Sequence, residues 1–139
     1  MLEKKYWECK SATLKTPKQK GIEKKSNIKL IGTPDYIAPE IINKKSLDNP
    51  SIDWWSLGVL AYEMMIGCRP FAGDSIDEII DNIINFKICW PEIGEGEDNI
   101  NPVTADFLKK LLNPDHQTRL GAEGVDQIKS HPFFEGVNW

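Results

Sequence analysis

Cysteine, histidine and long apolar runs are scarce in this sequence, and each shortage excludes a class of protein. The three cysteines, Cys9, Cys68 and Cys89, lie far apart, no CxxC pair occurs, and only two histidines are present. A disulfide framework and a zinc site are therefore excluded, and reduced thiols are typical of the cytoplasm and/or the nucleus. No apolar run approaches the roughly 20 residues that a bilayer crossing needs, so we expect no membrane association.

The charge is divided unevenly along the 139 residues. Residues 1–29 contain nine lysines and three glutamates, a balance of +6, whereas the remainder has eight Lys/Arg against eighteen Asp/Glu, a balance of −10. We predict that residues 1–27 form a basic, disordered arm, because they have too few apolar groups to offset the entropy of ordering. A nucleic-acid-binding arm is the other interpretation, but its two aromatics are not interleaved with the lysines, so we expect no nucleic acid.

The remaining residues carry helical signals and little strand signal. The strongest helix prediction covers 51–66, where Ser51 or Asp53 could cap the start and Gly67 would end the helix. Further helices are predicted over 40–42, 75–85, 104–112 and 125–130. The sequence therefore predicts a mostly α fold, built as a helical bundle.

The 51–66 helix is apolar nearly all round, with Asp53, Ser56 and Glu63 as its few strongly polar members. A helix of this kind belongs in the interior, surrounded by other elements. We accordingly assign the large side chains of this helix to the core, namely Trp54, Trp55, Met64 and Met65.

Five short strings then resemble protein-kinase landmarks, in the order that the family has them. They are residues 32–40 (GTPDYIAPE), 53–59 (DWWSLGV), 67–71 (GCRPF), 119–121 (RLG) and 131–134 (HPFF). The first is similar to the end of an activation segment with its A-P-E tripeptide, and the second to the start of the central helix of the kinase C-lobe. The resemblance implies that residues 28–139 form a partial protein kinase-like fold, a helical C-lobe fragment around one buried central helix.

A narrower resemblance is to the AGC group of serine/threonine kinases, and within it to the Greatwall-like branch. The closing string of residues 133–139 (FFEGVNW) is similar to the group's pattern, and Asp35 stands where many members of the group have glutamate, which is typical of the Greatwall, microtubule-associated and nuclear Dbf-related branches. Greatwall-like kinases carry a long insert directly before the GTP string, and the lysine-rich arm lies in that place.

The resemblance implies ATP-dependent phosphorylation of protein serine or threonine, a phosphotransferase reaction that needs Mg. The sequence contains no Gly-rich loop, V-A-I-K lysine, H-R-D loop or D-F-G string, so neither the catalytic base nor the metal ligands are present. We therefore expect ATP and Mg to serve the parent kinase, and this chain alone to be inactive and to bind neither. Its partners would be a protein substrate and the N-lobe with the catalytic-loop part of the kinase.

The resemblance also assigns substrate-side residues. Thr33 corresponds to a threonine that supports catalysis by contacting the catalytic aspartate and lysine. Residues that would face the substrate are Pro34, Asp35, Tyr36 and Ile37, with Ile37 as part of an apolar pocket. Glu63 corresponds to a carboxylate that pairs with a substrate arginine, although it could equally be a solvated helix carboxylate.

Three further residues have structural roles by resemblance. Glu40 and Arg119 correspond to an ion pair that ties the activation segment to the rest of the lobe. Asp53 corresponds to a residue that accepts hydrogen bonds from the catalytic-loop backbone, or else it is a helix N-terminal carboxylate favoured by the dipole. Two other interpretations stay open for the whole chain. One is a stand-alone, non-catalytic module that binds a substrate or partner, and the other is a truncation without independent function.

Overall fold

The computed structural model describes residues 34–45, 48–94 and 99–139, and these parts are predominantly helical. The helices are α1 (Pro39–Ile42), α2 (Ser51–Ile66), α3 (Ile76–Ile84), α4 (Pro102–Leu111) and α5 (Val125–Lys129), with 3₁₀ turns at Pro34–Tyr36 and Pro132–Phe134. The predicted mostly α fold class is confirmed. The predicted disorder of residues 1–27 concerns residues outside the described ones.

Helix α2 has the bounds that the sequence predicted, but its start is capped differently. Pro50 occupies the N-cap position, and the Asn49 side chain accepts a hydrogen bond from the Ser51 N–H at 2.9 Å. Ser51 is already helical, so the predicted cap by Ser51 or Asp53 is wrong. Gly67 ends the helix with a φ of 82°, a left-handed conformation that glycine adopts without a steric penalty.

Helix α4 begins two residues before the predicted start. The Asn101 side chain accepts from the Val103 N–H at 2.8 Å, and Pro102 takes the first helical position. Both features stabilise a helix start, the first by satisfying a backbone donor and the second by its preset φ.

The main core surrounds one side of α2. Trp55, Val59 and Tyr62 are fully buried there and pack with residues of α3 and α4. The Trp55 ring stacks on Phe71 with a centroid distance of 5.5 Å and an interplanar angle of 12°. A smaller cluster joins α2, α4 and α5, where Phe107 stacks on Phe133 at 4.5 Å. Helix α2 belongs to both clusters and so has the central position that the sequence predicted.

The opposite side of α2 lacks cover among the described residues. Met64 is 77% exposed and Leu60 45% on that side, and Met65, three residues after the buried Tyr62, is 43% exposed near the end of the helix. The assignment of Met64 and Met65 to the core is therefore wrong, because no described element covers either side chain. Trp54 is partly buried in the smaller cluster, and Trp55 is the one fully buried member of the four. In the described parts, no helix has both the length and the apolar composition that crossing a bilayer requires.

Helices α2 and α4 approach closely at Gly58. A Cβ added there would lie 2.9 Å from the Leu111 Cβ and 3.0 Å from the Leu112 Cδ2, which is closer than packed carbon atoms normally come. Gly58 is thus required by the packing rather than by its φ, because any larger side chain would push the two helices apart.

We expect Gly58→Ala to lower the free energy of unfolding by up to about 2 kcal/mol, since overpacking outweighs the gain in helix propensity. Urea unfolding of the chain would measure it. Met64→Ala, on the exposed side of the same helix, is the matched control and should change stability by no more than about 0.5 kcal/mol. A Gly58→Ala variant as stable as the parent would contradict the close approach.

Candidate functional site

Residues 34–37 form a tight turn against the middle of α2. The Ile37 N–H donates to the Pro34 carbonyl at 3.2 Å, and the Ser56 hydroxyl donates to the Tyr36 carbonyl at 3.0 Å. Tyr36 and Ile37 are half-buried and pack against the main core. The turn is therefore attached to the helix by both a hydrogen bond and apolar contact.

The Asp35 carboxylate points into the protein and has a cationic partner there. It is buried, and its Oδ1 lies 2.9 Å from Nη1 of Arg69, whose side chain is 50% exposed. The hydrogen bond to Asp35, followed by the negative charge of that carboxylate, raises the pKa of Arg69. The turn of residues 34–37 is thereby joined to the loop after α2 by a charge-assisted hydrogen bond.

Glu63, near the end of α2, contacts the same group of residues. Its Oε2 accepts a hydrogen bond from the Tyr36 hydroxyl at 2.7 Å, and its Oε1 lies 3.8 Å from Nε of Arg69. The hydrogen bond to Glu63, followed by burial and by the carboxylate's charge, raises the pKa of Tyr36, while the charge of Arg69 opposes that rise. We call Asp35, Tyr36, Glu63 and Arg69 the Tyr36 cluster.

Three members of the Tyr36 cluster are among the residues predicted from the sequence, and Arg69 is not. Arg69 lies in the turn string of residues 67–71, which was assigned no charged role. Its partners come from a preceding turn and from a helix end, so no helical or strand periodicity connects them. The signal in the sequence was a cation, Arg69, in one string of the kinase resemblance, together with two acidic residues, Asp35 and Glu63, that the same resemblance assigned to the substrate side.

Arg119 is the centre of a second, fully buried cluster. Its Nη1 and Nη2 donate to the two carboxylate oxygens of Glu40 at 2.7 and 3.0 Å, which is the bidentate geometry expected for the pair. Nη1 also donates to the Ser51 carbonyl at 2.8 Å, and Nε donates to the Asn113 carbonyl at 2.9 Å. The guanidinium lies over the Trp55 ring, 5.0 Å from its centroid.

The remaining predicted residues are less constrained. Pro34 is half-buried in the turn, and Asp53 is exposed in the first turn of α2. Thr33 lies outside the described residues. Within the described ranges, no three His, Cys, Asp or Glu side chains group as metal ligands.

These clusters connect the strings whose order resembled kinase landmarks: Glu40 of the first string meets Arg119 of the fourth. A family model of the protein kinase domain matches residues 15–134. The chain belongs to the protein kinase domain family.

Curated relatives of this kinase-domain chain are serine/threonine-protein kinases by name. Serine/threonine-protein kinase RIM15 of Saccharomyces cerevisiae is 41% identical over 120 residues, covering 84% of this chain and 7% of that protein. Serine/threonine-protein kinase cek1 of Schizosaccharomyces pombe is 45% identical over 115 residues, covering 80% of this chain and 8% of that protein. Probable serine/threonine-protein kinase ndrB of Dictyostelium discoideum is 44% identical over 112 residues, covering 78% and 20%. The chain thus matches only a small share of each relative's length.

We expect a double-mutant cycle on the kinase-domain ion pair to show strong coupling. Glu40→Gln or Arg119→Gln alone leaves a buried charge without its partner and should destabilise by about 3–5 kcal/mol. The double variant should lose less than the sum of the singles, with a coupling above about 1 kcal/mol in urea unfolding. The exposed pair of Asp81 and Lys87, 2.7 Å apart, is the control, with coupling of no more than about 0.5 kcal/mol. Additivity at Glu40 and Arg119 would contradict the buried pair.

We expect Glu63→Gln to lower the pKa of Tyr36 toward that of a solvated tyrosine, because the carboxylate is the main cause of the rise. The Tyr36–Glu63 interaction stabilises the fold at pH values below the unfolded-state pKa of tyrosine, about 10. That contribution is lost as the pH rises through the higher folded-state pKa. Phenol titration by ultraviolet absorbance would measure the shift, with Tyr36→Phe identifying the signal and Glu135→Gln as control. An unchanged Tyr36 titration in Glu63→Gln would count against the hydrogen bond.

Proposed function

We propose that this chain is the C-lobe portion of an AGC-group, Greatwall-like serine/threonine protein kinase and that it presents the substrate-facing side of the domain. The observation that carries the proposal is the attachment of residues 34–37 to α2 through Ser56 and the Tyr36 cluster. A turn held by hydrogen bonds, an ion pair and apolar contact can position a substrate backbone reproducibly, whereas a solvated loop cannot. The relatives' names support the same class of reaction.

The proposed contribution to phosphoryl transfer is positioning. Catalysis by protein kinases depends on in-line placement of the acceptor hydroxyl and on stabilising charge on the phosphoryl group. Residues 34–37, with Ile37 toward an apolar pocket, would hold the protein substrate, and Thr33 would contact the catalytic aspartate and lysine. The buried pair of Glu40 and Arg119 would keep this segment in place during binding.

The chemistry itself is assigned to parts of the kinase whose motifs this chain lacks. We assign ATP and Mg to the N-lobe and the catalytic loop, with Asp53 accepting hydrogen bonds from that loop. The exposed position of Asp53 leaves its carboxylate accessible to such donors. On this proposal the chain alone binds no Mg-ATP and transfers no phosphate, and the kinase acts in the cytoplasm and/or nucleus.

A chimera tests the proposal. Residues 28–139 would replace the matching segment of the cek1 kinase, and we expect the chimera to phosphorylate a serine/threonine peptide within about tenfold of the parent kcat/KM, a change of about 1.4 kcal/mol. Glu40→Gln in the chimera should reduce kcat/KM about 100-fold, because the segment that positions the substrate loses its anchor. Lys110→Gln, an exposed cation on α4, is the control and should have little effect.

Two outcomes would contradict the proposal. One is a folded chimera without activity, and the other is saturable Mg-ATP binding by the 139-residue chain in calorimetry. A chain that binds a protein partner but cannot restore activity in the chimera would instead support the stand-alone binding module.

A further inference from the structure

The Glu63 carboxylate has intramolecular partners at both of its oxygens. Oε2 accepts the hydrogen bond of the Tyr36 hydroxyl at 2.7 Å, and Oε1 faces Nε of Arg69 at 3.8 Å. The side chain remains 35% exposed, so a substrate group could still approach it. A guanidinium that approached from a substrate would, however, meet the guanidinium of Arg69 already beside Oε1.

Arg69 is not a counter-ion that a substrate can easily displace. Its Nη1 is held at 2.9 Å by the Asp35 carboxylate, which is buried. If Arg69 swung into solvent, Asp35 would lose this partner, and an uncompensated buried carboxylate is strongly unfavourable. The interaction with Asp35 therefore keeps the Arg69 charge near Glu63.

Arg69 makes the net charge of the Tyr36 cluster less negative than its two carboxylates alone would give. Asp35 and Glu63 contribute two negative charges and Arg69 contributes one positive charge, so the cluster carries −1 instead of −2. Like-charge juxtaposition disfavours a partner as effectively as new contacts favour another. Because the Arg69 side chain is half exposed and a guanidinium has five N–H donors, it retains donors for an acceptor on a substrate.

We propose that Arg69 determines substrate specificity by occupying the acidic subsite at Glu63 from within the protein. The substrate class is a peptide whose side chain at that subsite is neutral, and arginine or lysine is disfavoured there. This inference rests on the proposed function, since it concerns the substrate of the same segment. Arg69 acts on the substrate directly through its charge, and on Glu63 by pairing with it.

Matched peptides test the proposal in the cek1 chimera that contains residues 28–139. In one set of peptides, a single arginine is placed at each position flanking the phosphorylated serine in turn. A second set carries citrulline, the neutral isostere of arginine, at the same positions. For the wild type, we expect an arginine-to-citrulline ratio of kcat/KM no higher than about 2 at every position. For Arg69→Gln, we expect the ratio to rise about tenfold at one position, as repulsion is removed and Glu63 becomes available.

Three variants separate a charge effect from a structural one. Arg69→Lys retains the charge and should retain the wild-type ratio. Glu63→Gln added to Arg69→Gln should abolish the gain for arginine. Lys110→Gln removes an equally exposed charge elsewhere and should leave the ratio unchanged.

A second readout needs no activity and uses the 139-residue chain. Because the charge of Arg69 lowers the pKa of Tyr36, Arg69→Gln should raise that pKa, and Lys110→Gln should not. An unchanged Tyr36 titration in Arg69→Gln would overturn the proposal, since Arg69 would not act on the Glu63 subsite. An active kinase whose peptide ratio does not respond to Arg69→Gln would overturn this proposal alone. A kinase that phosphorylates no peptide would overturn the proposed function and this inference with it.

Discussion

The guanidinium of Arg119 is buried and donates hydrogen bonds to three separate parts of the chain: Glu40 in α1, the Ser51 carbonyl at the start of α2, and the Asn113 carbonyl after α4. Removing a guanidinium from water is so unfavourable that the arrangement is stable only when its donors are satisfied together. The three parts must therefore meet at one point, and the Trp55 ring below the guanidinium closes the remaining side. This requirement fixes where α1, and the turn of residues 34–37 before it, lie on the core.

Helix α2 connects that constraint to the candidate substrate side. Ser51 and Glu63 are twelve residues apart, about 18 Å along a helix with a rise of 1.5 Å per residue. The buried ion pair thus acts at one end of α2 and the Tyr36 cluster at the other, with Ser56 between them holding the Tyr36 carbonyl. Because a packed helix is stiff, the two clusters together set both ends of the segment from residue 34 to residue 42.

The ion pair of Glu40 with Arg119 and the ion pair in the Tyr36 cluster differ in their exposure to solvent. This difference gives them different roles. Glu40 and Arg119 are almost completely buried, so their interaction contributes to the fold and is not accessible to a ligand. In the Tyr36 cluster, Asp35 is buried while Glu63 and Arg69 are partly exposed. A group that is anchored on one side and exposed on the other is suited to recognition, because its geometry is set before a partner arrives.

Local sequence determined the helices and much of the candidate site. The bounds of α2 followed from its apolar composition and from Gly67, and the pairing of Glu40 with Arg119 followed from the resemblance of two strings far apart in sequence. Which side chains of α2 are buried was less predictable, because an apolar residue such as Met64 contributes to the same sequence pattern whether or not another element covers it in the fold. Only the tertiary structure brought Arg69 to Asp35 and Glu63. Charges in a turn carry no periodicity, and the distance that makes an ion pair arises only when separate elements pack together.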